Sequence, residues 1–311
     1  MNALEIRSSN AVTPQEFNAK LLNDFTAFLD VAPKTVATYQ RALRQMFKFF
    51  TDNGVKMPTY EDVLNFKKSL EAKGRKASTI ALYLASARRF FTWTEQRGIF
   101  PNVAAGVKAP RSDRGHKRDY FGAEQLKSIL RGINRDTLKG RRNFAIVALM
   151  AVGGLRTIEV ARANFEDLQT LGGEPVLYVQ GKGRKDKADF VKIPAQVLKA
   201  IQEYISARGK IEDDAPLFAG IGNRNKNGRL TTRCISGIAK SAMRSAGYDN
   251  RRLSAHSLRH SAVTIALLSG ARIDEVRAFA RHSNIATTTI YAHNVDRLRS
   301  QCENNICSMI F

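Results

Sequence analysis

Through the first hundred residues apolar positions recur at helical spacing, and no strand signal precedes Pro101. Thr13-Pro14-Gln15-Glu16 reads as a helix start, with a capping threonine, proline at the first helical position and a glutamate three residues on. Phe17, Leu21, Phe25 and Leu29 then share one face. Pro33 opens a second helix that turns Val36, Tyr39, Leu43, Met46, Phe47 and Phe50 inward and closes at Asn53-Gly54. A third helix starts over Thr59–Asp62 and stops near Gly74. A fourth runs from about Ser78 through Tyr83, Arg88, Phe90 and Trp93 to Gly98. The pattern predicts a flexible segment over 1–12 and a compact four-helix domain over 13–106.

Residues 107–120 break the periodicity with proline, glycine and five basic side chains, which reads as a basic linker. Beyond it the spacing predicts a second domain over 121–295. Helices are expected near Ala123, from about Arg141 to Val152, and again from Leu155 after Gly153-Gly154. Two strand-like runs follow, Pro175–Gln180 and Ala188–Ile193, joined by the basic glycine turn Gly181–Lys187. Further helices are expected over Pro194–Ala207 and Thr231–Ala246. The fold class is therefore mainly α: a four-helix N-terminal domain, then a mostly helical domain with a small antiparallel β-sheet.

Charge narrows the function. The 311 residues hold 50 Lys and Arg against 28 Asp and Glu, a net charge of +22, and such a surface attracts a polyanion, most often nucleic acid. Three cysteines are too few and too odd for a disulfide framework and fit a reducing cytoplasm. The longest apolar run, Phe144–Leu155, is about half of a bilayer span, so no membrane partner is expected. No metal is expected either, since zinc-type Cys/His spacings and magnesium-type carboxylate clusters are missing. A Walker loop is missing too, and the expected cofactor list is empty.

Candidate chemistry concentrates late in the chain, where four of five histidines fall between Ser254 and His293. His256 and Arg259 stand three apart on one helical face. Arg156 follows a glycine pair, with Glu159 placed to hold it. Two guanidiniums fit a phosphate, Lys182 at a turn tip suits a general acid, and the Tyr291 phenol can act as a nucleophile. Taken singly, each has a plainer reading as an ion-pair, solvated or core residue. Tyr120, Tyr178, Tyr204 and Tyr248 compete with Tyr291 as the interesting phenol.

Order and spacing decide among them. Gly154-Leu155-Arg156 with Glu159, Gly181-Lys182-Gly183, His256-Ser-Leu-Arg259-His260, His282-Ser283 and Thr289-Ile290-Tyr291 together resemble the signature set of the tyrosine recombinases, in their Xer and phage-integrase branch. The first hundred residues are similar in architecture to that family's SAM-like core-binding domain. The resemblance implies a site-specific DNA recombinase that cuts and rejoins strands through a 3′-phosphotyrosyl link. It could serve integration or excision of a mobile element, or resolution of DNA dimers. It further implies that Arg156 and Arg259 grip the scissile phosphate, Lys182 protonates the leaving 5′ oxygen and His256 assists proton transfer. His282 would donate to the phosphate, Tyr291 attack, and Glu159 orient the site.

The partners implied are double-stranded DNA with paired inverted half-sites and a homo-tetramer, or a hetero-tetramer with a related recombinase, in the cytoplasm at the nucleoid. The tail, 296–311, ends Ile306-Cys-Ser-Met-Ile-Phe311 and is expected to pack into a neighbouring protomer. Two departures stand out. Arg281 occupies a position where the family usually has glycine, which calls for a helix-compatible backbone there, and Ile158 stands where serine or threonine is frequent. The rival readings are an inactive DNA-binding protein of the same fold and a type IB topoisomerase.

Overall fold

The computed structural model describes residues 14–111 and 119–311, apart from 182 and 185. The cap expected at Thr13, the flexible segment 1–12 and the turn lysine Lys182 lie outside the described residues. The chain divides into two compact units between Arg114 and Gly115.

The first unit is built from α1 (Pro14–Phe28), α2 (Pro33–Asp52), α3 (Tyr60–Ala72) and α4 (Ala77–Gln96). Local chemistry explains their ends. Proline opens α2, and Thr59 caps α3 through the Asp62 N–H while the Asp62 carboxylate accepts the Thr59 N–H at 2.9 Å. The amphipathic faces meet in an aromatic core where Phe25 packs edge-on against Phe90 and Trp93. Leu22 and Phe25 of α1 are buried, as is Leu29 just past its end, while Leu21 is only partly covered. Val107, expected as the first linker residue, is buried in this core.

The second unit holds α5 (Ala123–Arg131), α6 (Leu138–Gly153), α7 (Thr157–Arg162), α8 (Ala195–Arg208), α9 (Thr232–Ser245), α10 (Ala255–Leu268), α11 (Ile273–Ala280), α12 (Ile285–Arg299) and α13 (Cys302–Ile310). α6 is its central post. Every residue from Ala145 to Ala151 is buried, because α8, α9 and α10 cover it from several sides. An antiparallel sheet of order β1-β2-β3 comprises β1 (Leu168–Leu171), β2 (Glu174–Val179) and β3 (Asp189–Lys192). β2 and β3 are the expected pair. β1 is an addition, a short exposed edge strand made by a hairpin whose turn glycines, Gly172 and Gly173, both take positive φ. Among the described residues no helix is long and apolar enough to cross a membrane.

Candidate active site

The site begins where α6 stops. Gly154 takes φ +60°, and a Cβ there would meet the Phe279 ring at 3.1 Å, so only glycine turns this corner without strain. The corner delivers Arg156 to the N-cap of α7. Its backbone N–H donates to Glu159 Oε2 at 2.8 Å and its Nη1 to Oε1 at 2.8 Å. The Glu159 side chain is fully buried, and on its other side Arg281 Nη2 donates to Oε2 at 2.9 Å. Burial works to raise the Glu159 carboxyl, yet Arg281 and the hydrogen bonds from Arg156 outweigh it and hold it below the usual carboxylate range. Glu159 is therefore an ionised carboxylate shared by two arginines.

Helix α10 supplies the next arginine. Arg259 is 1% exposed; its Nη1 donates to the Gly154 carbonyl at 2.5 Å and its Nη2 to the Ala280 carbonyl. Burial, then the charges of Arg156 and Arg281, push it down to about 9, so it stays cationic at neutral pH. Three guanidiniums thus surround one carboxylate. An anion entering this cluster relieves repulsion between the arginines, and a guanidinium has five N–H donors to offer it.

His256 sits one turn before Arg259 and is exposed, while His260 is 4% exposed. The two imidazoles meet edge to face at 4.7 Å between ring centroids, and His260 lies 5.1 Å from the ring of Tyr291. His282 also stacks on Tyr291, at 6.2 Å. Tyr291, on α12, is 5% exposed and packs with Val263, Leu267, Val276, Ala280 and Val295. His282 is pushed down to about 4 by burial and then by Arg259, Arg156, Arg281 and His256, so it is a neutral imidazole at neutral pH. Its Nδ1 lies 2.9 Å from the Oγ1 of fully buried Thr288, a contact that fixes the ring's orientation.

The structure brings Arg156, Glu159, Arg259, His256, His282 and Tyr291 into one cluster from α7, α10, α12 and the turn after α11. Lys182 is outside the described residues. Of its neighbours in the β2–β3 turn, Lys187 is engaged elsewhere, donating to both carboxylate oxygens of Asp167 at 2.8 and 2.7 Å. Arg162 pins the base of that turn through the Gly181 carbonyl at 3.1 Å. The expectation for Arg281 needs correcting. Its backbone is left-handed, φ 52° and ψ 47°, as the C-cap of α11. The chain must reverse there to turn His282 back toward Tyr291, which a right-handed helical residue could not do. His260 lies between two rings of the cluster, those of His256 and Tyr291, and an imidazole directly after Arg259 is the signal for it in the sequence.

Chemically, a buried cationic cluster beside a phenol and a neutral imidazole suits binding of a phosphate diester and attack on it by the phenol. Comparison with known proteins agrees. The family model described as Phage integrase family matches residues 119–297, more than half of the chain. The chain belongs to the phage integrase family. Its N-terminal SAM-like domain model matches residues 22–98, within the four-helix unit.

Among the family's curated members, the chain is 30% identical to the tyrosine recombinase XerC of Lactobacillus delbrueckii subsp. bulgaricus, over 84% of this chain and 88% of that one. It is 26% identical to a tyrosine recombinase of Synechococcus elongatus over 99% of each. Among solved structures, the XerH site-specific recombinase bound to its palindromic difH substrate superposes with a TM-score of 0.74 at 18% identity, covering 94% of this chain and 85% of that one. A lambda integrase tetramer bound to a Holliday junction gives 0.71 at 14%, covering 91% and 78%. At those identities the likeness is one of fold.

Proposed function

We infer that this chain is a tyrosine-type site-specific DNA recombinase, cutting and rejoining strands without metal or ATP. The observation that carries the reading is a buried phenol stacked on a neutral imidazole beside a cluster of guanidiniums that one carboxylate only partly neutralises.

In this reading Tyr291 Oη attacks the scissile phosphorus and the 5′ oxygen leaves, conserving a phosphodiester as a 3′-phosphotyrosyl link. Attack by a second 5′ hydroxyl reverses the step on a new partner. Arg156 and Arg259 bind the non-bridging oxygens and offset the charge that grows on them, an effect worth roughly 3–4 kcal/mol per donor. His282 is neutral, so it serves as a hydrogen-bond donor to the phosphate, with Thr288 fixing its ring. His256, exposed at the cluster's edge, takes the phenolic proton. Lys182 protonates the leaving oxygen from the β2–β3 turn, and Glu159 orients Arg156.

The partners follow from that chemistry. Double-stranded DNA bearing paired inverted half-sites is the substrate, in the cytoplasm at the nucleoid, and the working species is a tetramer of this chain or of this chain with a related recombinase. Helix α13 supports assembly, since Ile306, Met309, Ile310 and Phe311 are all exposed and find no cover on their own unit. Truncation after Ser300 is expected to leave a monomer able to bind a half-site but to abolish cooperative filling of paired half-sites in a gel-shift titration. Wild-type cooperativity in the truncated protein would refute the tail's role.

A nicked suicide duplex carrying the site tests the activity itself. The wild-type protein should trap a covalent protein–DNA adduct on denaturing gels, with the DNA attached through its 3′ end. An adduct with strand exchange supports recombination, an adduct with relaxation alone indicates a topoisomerase, and no adduct leaves a binding protein.

A further inference from the structure

Arg281 holds a left-handed backbone conformation that favours glycine, and yet its side chain is 6% exposed. A non-glycine residue in the left-handed region is held there by its surroundings, and these can be named. Arg281 Nη1 donates to the Phe279 carbonyl at 2.7 Å, and its Nη2 to Glu159 Oε2 at 2.9 Å and the Gly154 carbonyl at 3.3 Å. Its own carbonyl accepts Arg156 Nη2 at 3.3 Å. The same Gly154 carbonyl takes Arg259 Nη1, and the residue after Arg281 is His282. The side chain of Arg281 is therefore joined to Glu159 and to the carbonyl that anchors Arg259, and its backbone to Arg156 and His282.

We propose that Arg281 is a positioning residue for strand cleavage, holding Glu159 so that the carboxylate aligns Arg156 without cancelling its charge. The proposal rests on the recombinase reading above. With glycine at 281, one carboxylate would face two guanidiniums, and the pair would offer a single net positive charge. With arginine the cluster offers two. A phosphate diester carries one negative charge and its pentavalent transition state two, so the added cation favours the transition state over the bound substrate. Because the Nη groups of Arg281 are turned to Glu159 and backbone carbonyls, its influence passes through those groups and not through contact with DNA.

The test compares wild type, R281G and R281K on the suicide duplex, measuring DNA affinity, thermal unfolding and single-turnover cleavage at saturating protein. R281G relieves the backbone strain and should bind DNA within about twofold of wild type, while cleavage falls about 100-fold, the scale of a displaced catalytic group. R281K restores the charge without the fork and should recover cleavage to within about tenfold of wild type. Guanidinium ion added to R281G, which vacates a guanidinium-sized space, should raise its cleavage rate and leave wild type unchanged. R281G cleaving within about threefold of wild type overturns this inference alone. So does an equal loss in R281G and R281K that tracks lowered melting temperatures, which would make Arg281 a folding residue. Absence of an adduct in wild type is a separate result; it overturns the recombinase reading and this inference with it.

Discussion

Tyr291→Phe is expected to abolish the covalent adduct while the protein folds and binds DNA as before. The substitution deletes one oxygen and keeps a ring that packs against His260 and His282 and fills part of the small core formed by α10, α11 and α12. Loss of a nucleophile leaves only the catalysis its neighbours give to water, so the trapped product should fall by about 10⁴-fold or more. Denaturing gels on the suicide duplex read the loss, and a gel shift with the intact site reads the binding. An undiminished adduct would move the nucleophile elsewhere, and mass spectrometry of the trapped peptide would say where.

The other phenols are poor substitutes on structural grounds. Tyr204 is fully buried in the main core, where its hydroxyl accepts the Ala219 N–H at 3.2 Å. Tyr248 packs edge-on against Phe121, and Tyr178 on β2 against Phe190. Tyr120 is exposed at the start of the second unit. Tyr291 alone of these stacks on a histidine held neutral by burial and then by the surrounding arginines. Five phenols that look alike in the sequence are separated by what surrounds them.

The fold was legible where local chemistry sets boundaries. Pro33, the Thr59–Asp62 capping pair and the left-handed Gly154 are short-range devices, and the helices they bound fall within a few residues of expectation. β1 was hidden because Leu168-Gln-Thr-Leu171 neither alternates nor buries a full face; it becomes a strand only by pairing with β2. The glycine pair at 172–173 was the legible trace of its hairpin. Site residues were legible as types in order, but not in their connections. Arg281 and Glu159 are 122 positions apart, and nothing in either neighbourhood says that they share an ion pair. An arginine at 281, in place of the glycine that the resemblance led one to expect, suggested a helix-compatible backbone there. The reversal there is set by the tertiary need to bring His282 against Thr288 and Tyr291.

Arg259→Lys should lower cleavage about 10²–10³-fold, although the positive charge is kept. A lysine ammonium is a point charge with three N–H groups, whereas Arg259 spans two carbonyls on different elements, Gly154 after α6 and Ala280 at the end of α11. It cannot bridge both and also present two parallel donors to a phosphate. The bridge matters because those carbonyls are fixed points of the site: Gly154 also takes Arg281, and Ala280 immediately precedes it. R259K should therefore loosen the turn that aims His282 as well as weaken the grip on phosphate. Its loss should appear in single-turnover cleavage at saturating protein, with half-site affinity within about threefold of wild type, because the many remaining basic contacts dominate binding. Since Arg259 and Arg281 donate to the same Gly154 carbonyl, the double variant R259K/R281G should lose less than the product of the two single losses. Cleavage by R259K near the wild-type rate, or fully additive losses in the double variant, would mean that the two arginines act independently and that Gly154 is not their shared anchor.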